Sequence, residues 1–278
     1  MTMPLCTGDL LAGRYRLERV LGIGGMGVVY RARDLLHEQF GEPCSSVALK
    51  VLGECFSECP DGHVMLYSEF SLTRGLWHPG VVRLFGFDVD TSRQLVFFTM
   101  ELMHGMTLDR LMLERPHGLG WHEWQPMALQ LLDALAYAHG RGVLHGDVKP
   151  GNVMVGETGI RLFDFGLGQS QAVTGLPGLD RHRISAWTPA YAAPELLDGA
   201  QLSASADVYG VACVLYEMAQ GRRPHERKLT QALDRPRQLP RHCWAALRAA
   251  LATDPEQRTI TVAELREALA GRSWYGFA

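Results

Sequence analysis

A glycine cluster, Gly22-Ile23-Gly24-Gly25-Met26-Gly27, narrows the fold more than any other feature of this chain. Its G-x-G-x-x-G spelling is shared with the dinucleotide-binding turn, where a helix follows the glycines. Here Val28-Val29-Tyr30-Arg31-Ala32 follows, a β-rich run. Residues 13–31 are therefore predicted to form a hairpin around the glycines. A glycine loop between two antiparallel strands can lie over phosphates and offer them backbone N–H groups. Lys50 comes next, on a predicted strand of its own at residues 47–52, where a cation could hold α- and β-phosphates. A solvated strand lysine is the plainer reading, and Glu69 on the following helix counts against it as a carboxylate able to pair with Lys50.

Beyond the hairpin the chain divides in two. Residues 34–46 read as a polar loop. Residues 65–76 have helical spacing, with Phe70, Leu72 and Leu76 available for packing, and His78-Pro79-Gly80 stops that helix. Strands at 81–88 and 94–101 bring the expected number to about five in the first hundred residues. After Gly105 the pattern turns helical. Trp124, Ala128, Leu131, Leu135 and Ala138 share one face of a helix over 124–139. Residues 206–219 are apolar on almost every side, which predicts a buried central helix. Further helices are expected at 244–252 and 262–269. The fold class is thus α+β, with a β-rich N-lobe followed by a helical C-lobe. The expected boundaries are an N-terminal extension at 1–14, the N-lobe at 15–101, a hinge at 102–105 and the C-lobe at 106–278. A cleft between lobes is the natural ligand site.

Composition limits the partners. The formal net charge of -3 leaves nucleic-acid binding without electrostatic support. The first ten residues lack the basic and apolar regions of a signal peptide, and no stretch approaches the roughly twenty apolar residues of a membrane helix. Six cysteines without a framework spacing suggest reduced thiols and a cytoplasmic protein. Cys55, Cys59 and His63 lie close in sequence; a zinc site would want a fourth ligand and a tighter cysteine pair, so they read as a loop with free thiols.

The most informative stretch is Val143-Leu144-His145-Gly146-Asp147-Val148-Lys149-Pro150-Gly151-Asn152-Val153-Met154. Apolar strands flank a loop that holds Asp, Lys and Asn at fixed offsets, and Asp164-Phe165-Gly166 follows. Phosphoryl transfer needs a divalent cation on the phosphates, a group that orients the nucleophile, and a cation near the moving phosphoryl. Asn152 and Asp164 supply hard oxygen ligands suited to Mg²⁺. Asp147 can accept a hydroxyl proton, and Lys149 can meet the γ-phosphate.

At this point the chain resembles the eukaryotic-type (Hanks) protein kinases over residues 15–269, and the Gly-Gly-Met-Gly-Val-Val-Tyr wording is similar to their bacterial branch. The resemblance implies a bilobal protein-kinase fold with ATP between the lobes, and transfer of its γ-phosphate to protein Ser/Thr hydroxyls, as in a non-specific serine/threonine protein kinase. Gly22, Ile23, Gly24, Gly25, Met26 and Gly27 fall on the glycine loop, and Lys50 and Glu69 on the activating ion pair. Asp147, Lys149 and Asn152 fall on the catalytic loop, and Asp164 on the magnesium aspartate. Met100 falls at the gatekeeper position and Glu101 to Met103 on the adenine-binding hinge, with Val29, Ala48 and Met154 around the adenine. Glu195, in Ala193-Pro194-Glu195, is expected to pair with Arg258, and Asp207 to hold the catalytic-loop backbone. The implied cofactors are ATP and Mg²⁺, with Mn²⁺ as a substitute. The implied partners are protein substrates, a cognate protein phosphatase and, since relatives pair through their N-lobes, a second copy of the chain in a homodimer. No nucleic acid or membrane partner is expected.

Serine and threonine are favoured over tyrosine because Lys149 sits two residues after Asp147, and because Thr188, in Trp187-Thr188-Pro189, matches the threonine that bonds to that loop. The match departs at Gly146, where most regulated kinases carry an arginine that docks an activation-segment phosphate. Activity is therefore expected not to need that phosphate, although Thr174, Ser185 and Thr188 are autophosphorylation candidates. His-Gly-Asp also occurs in kinase-fold enzymes that phosphorylate small molecules, so a small-molecule phosphotransferase stays open, as does a pseudokinase scaffold. Lys149, Thr188 and Ala193-Pro194-Glu195 argue against the first. The presence of Lys50, Asp147, Asn152 and Asp164 argues against the second. The physiological substrate is not legible.

Overall fold

The computed structural model describes residues 5–24, 27–53, 62–166, 168–170, 188–224 and 233–271. Gly25, Met26, Cys55, Cys59, Thr174, Ser185 and Trp187 lie outside the described residues. The described residues form two compact units: one takes residues 5–77 and 82–103, and the other takes 78–81, 104–170 and 188–271.

The first unit is built on a six-stranded antiparallel sheet in the order β1-β2-β3-β4-β6-β5. Its strands are β1 (Leu10–Leu11), β2 (Tyr15–Ile23), β3 (Gly27–Asp34), β4 (Ser46–Leu52), β5 (Leu84–Asp90) and β6 (Leu95–Glu101). Alternation sets which face is buried. Tyr15 and Leu17 of β2 turn inward while Arg16 and Glu18 do not, and they meet Tyr30, Leu49 and Phe97 in one core cluster. Tyr15 and Phe97 pack edge to face at 5.6 Å. The sheet has one strand more than expected, because Leu10 and Leu11 pair with Arg16 and Tyr15. The expected loop at 34–46 also contains a short helix, α1 (Leu35–Gln39). It forms because the buried Asp34 carboxylate accepts from the Leu36 and His37 N–H groups and is itself held by Arg14 at 2.6 Å. Helix α2 (Gly62–Arg74) buries Phe70 and Leu72 as its spacing predicted, with Phe70 6.0 Å from the Phe98 ring. The expected strand at 81–88 begins only at Leu84. Val81 instead makes a parallel bridge to Leu162 within the second unit.

The second unit is mostly helical: α3 (Leu108–Leu113), α4 (Trp121–Gly140), α5 (Pro194–Leu197), α6 (Ala204–Gln220), α7 (Arg241–Ala250) and α8 (Val262–Leu269). Helix α6 is buried on nearly every side, from Ala206 to Ala219. Ser203 caps its N-terminus, and Gly221 ends it in the left-handed region at φ 73°. A Cβ at Gly221 would also strike the Pro116 carbonyl, so only glycine suits that stop. Trp124 of α4 is fully buried and donates its indole N–H to the Leu215 carbonyl at 2.9 Å, locking α4 to α6. Two short sheets hold the functional loops: β7 (Met106–Thr107) with β9 (Val153–Gly156) and β10 (Gly159–Leu162), and β8 (Val143–Leu144) with β11 (Gln169–Ser170). Among the described residues, no helix is long and apolar enough to cross a membrane.

Candidate active site

In the first unit, register brings several candidate residues side by side. Val29 pairs with Lys50 across β3 and β4, and Ala48 pairs with Met100 across β4 and β6. Ala48 and Met100 are buried, while Val29 and Met103 are half-buried. Gly22 and Ile23 end β2, and Ile23 is 80% exposed. The Gly24 N–H donates to the Gly27 carbonyl at 2.8 Å and closes the turn. At Gly27 a Cβ would collide with the Val51 carbonyl, so this glycine is required by the close approach of β4. Glu101 ends β6, with Oε1 accepting the Arg83 N–H at 2.9 Å. The Lys50 ammonium donates to both carboxylate oxygens of Glu69 at 2.7 Å, and both side chains are buried. The pair joins the centre of the sheet to α2.

In the second unit, one carboxylate organises the loop after β8. Asp207, in the first turn of α6, accepts the His145 N–H and the Gly146 N–H, each at 2.8 Å. Gly146 has φ 81°, a conformation a residue with a Cβ adopts only under strain. The His145 ring is wholly buried. Its Nδ1 accepts the Asp147 N–H at 3.2 Å, so the ring proton sits on Nε2 and faces the Phe163 carbonyl at 3.1 Å. Burial pushes the His145 pKa down, and the neighbouring Asp207, Asp147 and Asp164 push the other way without prevailing.

Two side chains then converge on Asp147. Lys149 donates to Asp147 Oδ2 at 2.5 Å and to the Thr188 hydroxyl at 2.9 Å. Asn152 donates its amide to the Asp147 carbonyl at 2.9 Å and to Oδ2 at 3.3 Å. With the amide nitrogen so engaged, the Asn152 side-chain oxygen turns the other way and is suited to a hard cation. The β9–β10 hairpin supplies the second oxygen. Val153 pairs with Leu162, and the Phe163 N–H donates to the Asn152 carbonyl at 3.0 Å, so Asn152 and Asp164 flank the same end of the hairpin. Asp164 sits at φ 66°, rare for a residue with a side chain and typical of functional strain. Phe165 is fully buried, 4.4 Å from the His145 ring. Met154 is half-buried in β9, next to Asn152.

The segment that ends at Ala193-Pro194-Glu195 is braced from behind. Arg258 has a fully buried side chain and forks onto Glu195 at 2.7 and 3.2 Å. It also donates to the carbonyls of Ser205 and Ala252, at 2.9 and 3.0 Å, and lies 4.9 Å over the Tyr209 ring. Tyr191 donates to Glu217 of α6 at 2.7 Å. Two features had no signal in the sequence reading. One is the positive φ of Gly146. The other is His139, whose Nε2 donates to Asp207 Oδ2 at 2.8 Å; a histidine in the last turn of a helix reads as a surface residue.

The sequence matches the protein kinase domain over residues 15–268. It is 32% identical over 271 residues to the serine/threonine-protein kinase PkaA of Streptomyces coelicolor, covering 89% of this chain and 48% of that one. It is 38% identical over 225 residues to the DNA damage-responsive serine/threonine-protein kinase RqkA of Deinococcus radiodurans, covering 80% of this chain and 32% of that one. The chain thus spans half the length or less of these relatives. The solved kinase domain of Mycobacterium tuberculosis PknI superposes with a TM-score of 0.72 at 27% identity, covering 97% of this chain and 100% of that domain. The α+β protein-kinase fold expected from the sequence is the observed one, and the chain belongs to the protein kinase family.

Proposed function

We propose that this chain is a serine/threonine protein kinase that transfers the γ-phosphoryl group of ATP to protein hydroxyls. The observation that carries the reading is Lys149, which bridges Asp147 and Thr188. That bridge ties the group beside the nucleophile to the segment on which a peptide hydroxyl would lie. In this reading Asp147 orients the substrate hydroxyl and takes its proton as the oxygen attacks the γ-phosphorus and ADP leaves. Lys149 offsets charge on the moving phosphoryl. Lys50, fixed by Glu69, holds the α- and β-phosphates, with the glycine loop from Gly22 through Gly24 to Gly27 lying over them. Val29, Ala48, Met100, Glu101, Met103 and Met154 are proposed to receive the adenine.

Protein kinases use ATP with a divalent cation. The oxygen donors of Asn152 and Asp164 fit such an ion, and we assign Mg²⁺, with Mn²⁺ accepted by the same hard ligands. When bound, the cation neutralises phosphate charge during transfer. Residues 15–101 as an N-lobe and 106–278 as a C-lobe belong to the same proposal. So do protein substrates, a cognate phosphatase, a homodimer and a cytoplasmic site of action.

Radiolabelled ATP with a generic protein substrate, followed by phosphoamino-acid analysis, tests the reading. Label on serine and threonine, abolished in Asp147→Ala and Lys50→Ala, supports it. Label confined to a small-molecule hydroxyl would favour the small-molecule phosphotransferase, and nucleotide binding without transfer would favour the scaffold.

A further inference from the structure

The Asp207 carboxylate receives three hydrogen bonds, not two. Oδ1 takes the Gly146 N–H, and Oδ2 takes both the His145 N–H and His139 Nε2, all at 2.8 Å. A carboxylate only accepts, so His139 donates through Nε2 in either charge state. The side chain of Asp207 is 2% exposed and that of His139 15%.

The three bonds differ in what they fix. The two backbone donors tie the loop to the carboxylate. They do not tie the carboxylate to the helices, because it still turns about its own side-chain bonds. His139 comes from α4, a different element, and adds the missing restraint. The loop cannot stiffen itself, since Gly146 has the widest backbone freedom of any residue. The next link, the Asp147 N–H to His145 Nδ1 at 3.2 Å, passes the position of His145 on to Asp147.

We propose that His139 is a positioning residue for phosphoryl transfer: its bond to Asp207 sets the peptide planes of His145 and Gly146, and through them the place of Asp147. The proposal rests on the reading of Asp147 given above. The plainer alternative is that His139 only satisfies a buried carboxylate, which would affect stability and leave turnover unchanged.

The experiment compares His139→Gln, which keeps an N–H donor, with His139→Met, which keeps length and helix propensity but cannot donate. Melting first establishes that each is folded at the assay temperature. The Met variant is expected to lose about tenfold in kcat, as a displaced reacting group does. Its KM for ATP should stay within about twofold, because uniform substrate binding is untouched. The Gln variant should recover most of the loss. Amide exchange at His145 and Gly146 should quicken in the Met variant alone. A Met variant that melts early yet turns over at the wild-type rate would overturn the proposal, and so would equal losses in both variants. If the Met variant does not fold, the unmutated chain gives the answer by nuclear magnetic resonance. The His145 and Gly146 amides should then exchange as slowly as the buried backbone of α6, and exchange as fast as in an exposed loop overturns the idea. An active Asp147→Asn variant would instead overturn the reading of Asp147, and with it the link to turnover, while the exchange result still stands.

Discussion

Both carboxylate oxygens of Glu69 lie 2.7 Å from the Lys50 ammonium, in a place where neither side chain is solvated. A buried charge left without its partner is expensive, so each single variant is expected to lose stability as well as activity. Lys50→Met and Glu69→Leu should each destabilise the chain by about 3 kcal/mol or more. The double variant should regain much of that stability, since no orphaned charge remains, and should still fail to transfer phosphate. Urea unfolding beside a kinase assay checks this. A double variant as unstable as the sum of the two single ones would mean that Lys50 and Glu69 are not coupled, and would overturn the account by an orphaned charge.

Gly146 leads to a second prediction, in which backbone and regulation meet. Its φ of 81° costs a residue with a Cβ about 1–2 kcal/mol. Gly146→Ala and Gly146→Arg should both lower the melting temperature, by similar amounts, whatever the arginine could do chemically. Separately, Thr174→Ala with Ser185→Ala should leave the rate near wild type, because glycine offers no guanidinium for an activation-segment phosphate. A large drop in that double variant would overturn the idea of phosphate-independent activity.

Arg258 gives the third. Its planar fork serves Glu195, Ser205 and Ala252 at once from a fully buried position. A lysine ammonium cannot reproduce that geometry. Arg258→Lys is therefore expected to lose about 2–4 kcal/mol in chemical unfolding, in the range of a broken buried network. The Arg266–Asp133 pair on the surface is the control. It is partly exposed, and Arg266→Ala should cost less than about 1 kcal/mol.

The sequence was legible where chemistry ties a residue type to a fixed offset. Asp147, Lys149 and Asn152 lie on one loop, and their contacts with one another are local. The contact of Lys50 with Glu69 was readable because a strand lysine and a helix carboxylate have few other uses inside a core. Features set by distant or backbone geometry were not readable. Helix α1 exists because Arg14 reaches Asp34 from twenty residues away. Strand β1 is two residues long and shows no alternation. Val81 has the composition of the strand after it but pairs with Leu162. Gly146 suggested a missing arginine, whereas its φ gives glycine a steric reason of its own. His139 meets Asp207 from 68 residues away, and no spacing announces that.

The fourth prediction concerns pH and begins with His145. Its Nδ1 accepts from Asp147 and its Nε2 faces the Phe163 carbonyl, so the buried ring fits its site as the neutral form. Burial pushes its pKa below the ordinary value of 6.5, against the pull of Asp207, Asp147 and Asp164. His78 is also pushed down, chiefly by desolvation. A lowered folded pKa means that the unfolded chain takes up a proton first as the pH falls. The stability these groups contribute is thus intact above about pH 6.5 and is lost as the pH falls below it towards the folded values. The slope approaches about 1.4 kcal/mol per pH unit for the buried His145 in that window and is smaller for the partly exposed His78. The carboxylates act lower down. Despite desolvation, hydrogen bonds from Arg14 keep Asp34, and from Ser92 keep Asp90, below the ordinary 3.8, so their contribution is lost only as the pH falls below about 4. Urea midpoints should therefore drop between about pH 7 and pH 5.5, and His145→Phe should flatten that drop by one proton's worth whatever it does to absolute stability. A slope unchanged in His145→Phe would place the proton uptake on another group and remove the case for a neutral His145 beneath Asp147.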